Sequence, residues 1–159
     1  MTLNTMTAGR SIFALAFPFL LLSGTAQAAP PDPCSFFSVE ELNKHAKNGD
    51  AVRAEKSGGS SESQCNWLKQ GGDNVMNVTI RKTPHAADDL KLTAKVEETR
   101  FKKPVKTIAG LGDEAWWGNT GMLAFRKGDY LVTMYWGDSK YGGEESTVAV
   151  GKLVAAKLK

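Results

Sequence analysis

The side chains that could do chemistry in this chain are few and poorly grouped. His45 and His85 are its only histidines. His85, Asp88 and Asp89 fall at i, i+3 and i+4, a spacing that can present ligands on one helical face. A structural zinc site wants four ligands and no others are in sight, so the two aspartates read as complements to a helix dipole. His45 lies between Lys44 and Ala46, on the side of its helix away from Leu42, and reads as a surface residue. There is no G-x-S-x-G and no H-E-x-x-H. Besides Asp88 and Asp89, carboxylates stand as sequence neighbours at Glu40-Glu41, Glu97-Glu98, Asp113-Glu114 and Glu144-Glu145. Neighbours on a helix or strand point apart, so none makes a good acid-base pair. Gly110-Leu111-Gly112 does not reach a third glycine at the spacing of a nucleotide loop, and no helix is signalled after Ala115. The residues therefore imply no catalytic group, no metal and no cofactor.

Two other sets carry more. Cys34 and Cys65 are the only cysteines, with no C-x-x-C and no histidine beside either. An even count in an exported chain implies a disulfide. Trp116, Trp117, Tyr130, Tyr135 and Tyr141 could form an exposed aromatic patch, and flat rings favour carbohydrate or peptide ligands. Trp116, Trp117, Tyr135 and Tyr141 are the ligand-binding candidates. The alternative is packing against covering helices.

Export itself is read from the first 28 residues. Arg10 precedes an apolar run, Ile12–Leu22, and the stretch ends in Ala26-Gln27-Ala28, an A-x-A cleavage pattern. The run is short for a membrane span and Pro18 interrupts it. Residues 1–28 read as a signal peptide and 29–159 as one secreted or periplasmic domain, with no membrane span after cleavage. The formal charge of +3, reduced by one when Arg10 leaves, is too small to argue for nucleic acid.

These residues need a frame. Met122–Trp136 reads as a β-hairpin about a type II′ turn at Gly128-Asp129. That turn pairs Lys127 with Tyr130, Phe125 with Val132 and Leu123 with Met134. It puts Phe125, Val132, Leu123, Met134 and Trp136 on one face, and Ala124, Arg126, Thr133 and Tyr135 on the other, as for a sheet covered on one side. A second hairpin joins Gln64–Lys69 to Asn74–Lys82. Cys65 and Trp67 share the face of Val78 and Ile80. Each hairpin follows a helix, which hints at a duplicated helix-plus-hairpin unit.

Ser38 and Glu41 form a capping box, Phe37 and Leu42 a staple, and Asn48-Gly49 a stop for the first helix, whose stripe is Val39, Leu42 and Ala46. Asp50–Lys56 is a short strand and Ser57–Ser63 a flexible loop. Thr83-Pro84 opens a second helix with a stripe of Leu90, Ala94 and Val96. Asp113–Asn119 is a strand, in which Trp116 and Trp117 face opposite ways and at most one enters the core easily. Gly137–Glu145 is a polar loop, and the last helix, Glu145–Leu158, shows Val150, Leu153, Val154 and Leu158 on one face. The fold class is α+β, an antiparallel curved sheet built from hairpins and packed by amphipathic helices.

With Asp32-Pro33-Cys34 before a capped helix, Cys65-Asn66-Trp67, Gly110-Leu111-Gly112-Asp113-Glu114-Ala115 and the Lys127-Gly128-Asp129 turn, the chain resembles a family of uncharacterised secreted domains typical of actinobacterial lipoproteins. The resemblance implies a cell-envelope α+β domain with one disulfide and supplies no catalytic residues. Family members are often lipid-anchored, and this chain lacks a cysteine in the small-residue region where that anchor would go. The implied function is a non-enzymatic module binding an envelope protein or small ligand. The alternative is an inhibitor of a secreted or cell-wall hydrolase that presents the Gly137–Glu145 loop.

Overall fold

The computed structural model describes residues 29–159; the expected signal peptide lies outside the described residues. A 3-10 turn at Pro33–Ser35 leads to α1 (Val39–Asn43), then β1 (Ala51–Gly58), β2 (Glu62–Lys69) and β3 (Asn74–Lys82). After α2 (Ala86–Phe101) come β4 (Lys106–Thr107), β5 (Glu114–Trp117), β6 (Met122–Lys127) and β7 (Tyr130–Trp136), and α3 (Glu144–Lys157) closes the domain. The strands form one sheet in the order β1-β2-β3-β7-β6-β5-β4, every neighbour antiparallel. This is the α+β class expected. Among the described residues, no helix is long and apolar enough to cross a membrane.

Both expected hairpins form. Lys127 pairs with Tyr130, Phe125 with Val132 and Leu123 with Met134. Gly128 takes φ +56°, the conformation that admits glycine most cheaply. The hairpins meet as β3 and β7 at the centre of the sheet, with Val78 opposite Met134 and Ile80 opposite Val132. The helices that precede them, however, pack into different clusters on opposite faces, so no two-fold of the sheet relates two helix-plus-hairpin units.

The main core lies between one sheet face and α1, α3 and the N-terminal segment. Trp67, Met76, Val78, Ile80, Leu123, Phe125, Val132 and Met134 meet Leu42, Val150, Val154 and Leu158 there. The Cys34–Cys65 disulfide joins the 3-10 turn to the middle of β2 on this face. The sheet is covered on its other face too, where one-sided cover was expected. Ala86 and Leu90 of α2 bury Trp116, Ala124 and Leu131. This corrects the reading of Trp116 and Trp117: they do face opposite ways, but each finds an apolar partner layer. Trp116 is buried under α2, and Trp117 packs half-buried against the main core.

Other departures have local causes. The first helix stops at Asn43, short of Asn48-Gly49. The Asn43 amide both donates to Ala51 O (2.9 Å) and accepts from Ala51 N (3.2 Å), so the chain must turn back at once to begin β1. Ser57–Ser63 is mostly strand, with a tight turn in which Gly59 N donates to Glu62 O (2.7 Å). Backbone pairing holds it, and no apolar side chain could have signalled it. In α2, Val96 is exposed and Glu97 is buried. The sheet-facing line from Leu90 and Ala94 continues at i+7, which is Glu97, whereas i+6 points away. In α3, Leu153 is exposed. Gly151 lets the helix approach so closely that a Cβ there would lie 2.8 Å from Leu123 Cδ2, and the buried line runs through Val150, Gly151, Val154 and Ala155.

Glu97 is more than a packing defect. Its Oε1 accepts from the Thr120 N–H and from Thr120 Oγ1, both at 2.7 Å, and so clamps the β5–β6 turn to α2. Glu97→Ala leaves that N–H without its partner. The expected cost is about 1–3 kcal/mol, read as a lowered urea midpoint with an unchanged slope.

Candidate binding face

The face that carries α2 is only partly covered, because α2 packs on β6 and β7. Cross-strand pairing arranges the remainder in rows. Asn66, Asn77 and Tyr135 form one row, Gln64, Thr79 and Thr133 the next, and Glu62, Arg81 and Leu131 the third. Period-two alternation places all of them opposite the core-facing Cys65, Val78, Ile80 and Met134.

The first row is an ordered amide ladder. Asn66 Oδ1 accepts from Asn77 Nδ2 (2.8 Å) and Asn74 Nδ2 (3.2 Å), and Asn77 Oδ1 accepts from Thr79 Oγ1 (3.2 Å). Asn77 is buried and bonded at both ends of its amide, so it braces the ladder, and the half-buried Asn66, Thr79 and Thr133 are the side chains left to meet a ligand. Tyr135 stands beside Asn77 and is 40% exposed, the only large aromatic among the exposed apolar side chains of the described residues.

Where the sheet passes under α2, a cavity of about 130 Å³ is lined by Glu62, Thr79, Arg81, Thr93, Leu131 and Thr133. Arg81 is anchored by Asp89 at 3.0 Å, while its Nε is buried with no partner among the described residues. Threonine hydroxyls, a guanidinium N–H and a carboxylate thus border one small notch at the inner end of the amide ladder. Such a surface can exchange hydrogen bonds in both directions with a hydroxyl-rich molecule while an exposed ring supplies a stacking plane.

Of the four aromatic candidates, only Tyr135 lies on this face with its ring open. Trp116 is 4% exposed and its Nε1 donates to Leu90 O (3.2 Å). Tyr141 is 2% exposed, because the Gly137–Glu145 loop folds inward: Lys47 N donates to Tyr141 O (2.7 Å), and Gly142 sits against the Trp136 indole, where a Cβ would clash. Trp117 is on the opposite face. The four do not form a patch, so Trp116 and Tyr141 are corrected to core residues. The residues that build the face instead, Asn66, Asn77, Thr79, Arg81 and Thr133, were visible only as the polar half of alternating strands.

The remaining candidates are dispersed. Asp89 is engaged by Arg81, and His85 N donates to Thr83 Oγ1 (3.1 Å) at the start of α2. Asp113 accepts from Arg126 (2.7 Å) and from Gly128 N (2.9 Å), bracing the central turn. His45 lies in a different groove, with Lys44, Lys47 and Glu144. Among the described residues, no three His, Cys, Asp or Glu side chains come together as a metal site. At the β2–β3 turn, Asp73 holds the Lys69 ammonium above its ordinary range, and Lys69 in return holds the Asp73 carboxyl below its own, across 2.8 Å.

Comparisons with protein-family models, with curated proteins and with solved structures found no significant match.

Proposed function

We propose that the domain is a non-enzymatic binding module of the cell envelope that takes a hydroxyl-rich ligand, a saccharide segment, on the sheet face around Tyr135. The observation that carries this reading is the juxtaposition of one exposed tyrosine ring with a pre-ordered amide and hydroxyl ladder that leads into the Arg81 notch. Rigid strands hold those groups in place before a ligand arrives, which lowers the ordering cost of binding. The disulfide suits an oxidising compartment, in keeping with a periplasmic or secreted protein similar to the lipoprotein-type envelope domains.

The test is a saccharide array followed by NMR titration with any positive glycan. Shifts should concentrate on Asn66, Asn77, Thr79, Thr133 and Tyr135. Tyr135→Ala should weaken binding by about tenfold, the equivalent of ~1.4 kcal/mol, by loss of the stacking plane. Its thermal midpoint should stay close to the parent's, because the ring is exposed. An empty array, or shifts confined to the His45 groove or the Gly137–Glu145 loop, would sink the proposal.

A further inference from the structure

β1 is an outer strand, and from Val52 to Gly58 every residue is exposed. At its start the Asn43 side chain occupies the Ala51 backbone groups, so the ladder that remains open begins after it. The opposite edge strand, β4, is two residues long and offers no comparable ladder. A long strand with free N–H and C=O groups is a template for another strand.

Its sequence restricts which strand fits. In an antiparallel pair, successive residues turn their backbone groups alternately toward and away from a neighbour. Two copies of β1 can therefore pair only in registers where some residue lies opposite its own copy. Centring on Arg53, Glu55 or Lys56 sets like charges face to face, centring on Val52 meets its bulge and the Asn43 clasp, and centring on Ser57 leaves only Lys56 opposite Gly58 within the strand. Centring on Ala54 sets Arg53 opposite Glu55 twice, within the stretch of β1 that runs regularly from Arg53 onward, beyond a bulge at Val52. Arg53 and Glu55 already share a face, since they form an ion pair at 2.7 Å within the strand. In the pair, each would lie within reach of both its own partner and the second copy's.

We infer that this edge joins a second copy of the chain, β1 to β1 antiparallel about Ala54, to make a continuous fourteen-stranded sheet from two seven-stranded ones. The two-fold stands perpendicular to the sheet, so like faces of the two copies share one side. The two Tyr135 faces then look the same way, as a bivalent surface requires. The pairing itself does not rest on what those faces bind.

The test is sedimentation of the protein over about 1 µM to 1 mM, a range that brackets contacts of this size. The parent should form a dimer that dissociates on dilution, and the outward amides of β1 should gain hydrogen-exchange protection as concentration rises. Glu55→Arg opposes two arginine pairs and should raise the dissociation constant by about tenfold or more. The swap Arg53→Glu with Glu55→Arg restores both opposite-charge pairs and should return it to near the parent value. Either variant should keep the parent's circular dichroism spectrum, since both side chains are exposed. A parent that stays monomeric throughout would overturn the inference. So would a dimer indifferent to Glu55→Arg, or one that the swap fails to restore.

Discussion

Replacing Cys34 and Cys65 together by alanine should lower the unfolding free energy by ~3–4 kcal/mol, the chain-entropy value for a loop of this length. The bridge spans 31 residues of sequence. What it restrains has little stability of its own. The 3-10 turn is three residues long and α1 five, far below the length at which an isolated helix persists. Apart from the bridge, this segment is held by Phe37 and Leu42 in the main core, the Asn43 clasp on Ala51, and an exposed Lys56–Asp32 pair at 3.1 Å that contributes little. Alanine is the right replacement because Cys65 is fully buried, and a serine hydroxyl there would add an unpaired polar group. Urea titration of the parent, with and without reductant, and of the double alanine variant checks the value. Hydrogen exchange should show residues 33–50 losing protection before the sheet does. If the bridged and bridge-free proteins unfold at the same midpoint, the N-terminal segment is held by its packing alone.

How much of this architecture can be read from the residues depends on what encodes it. The central hairpin is legible to the residue because two local signals agree: a glycine where φ must be positive, and alternation that flips if the register slips by one. The capping box of α1 is equally local, with Ser38 Oγ accepting from Glu41 N and the Glu41 carboxylate accepting from Ser38 N. What the sequence hides is decided between elements. That Trp116 is core depends on α2 crossing its face, and that Tyr141 is core depends on Gly142 admitting the Trp136 indole. Helix phase suffers similarly. Apolar residues at 96 and 153 attract the eye, yet the sheet-facing lines run through Glu97 and Gly151, a carboxylate and a residue without a side chain. The binding face is hard to read for a related reason. Its asparagines and threonines are the unremarked half of alternating strands, and they become a surface only when β2, β3 and β7 lie side by side.

Trp67→Ala should be as costly as the loss of the bridge, ~3–5 kcal/mol, since it removes the largest fully buried side chain. Trp67 stacks on Phe37 with ring centroids 4.7 Å apart and planes 14° from parallel, and it sits across from Met76 two residues along β2 from Cys65. It therefore ties the same N-terminal segment to the sheet that the disulfide does. Trp67→Phe should cost much less, about 1–2 kcal/mol. Phenylalanine keeps a ring against Phe37 and loses some volume, but it also removes the indole N–H, which is buried without a partner among the described residues and carries a penalty of its own. Urea unfolding of the two variants gives the ordering directly. Because both tethers act on one segment, the effects of Trp67→Ala and of cysteine removal should not add, and a double-mutant cycle should show coupling well above the few tenths of a kcal/mol typical of separate sites. Additive losses would mean that the bridge and the aromatic stack restrain different parts of the chain. A Trp67→Phe variant as unstable as Trp67→Ala would mean that the indole N–H is a satisfied donor.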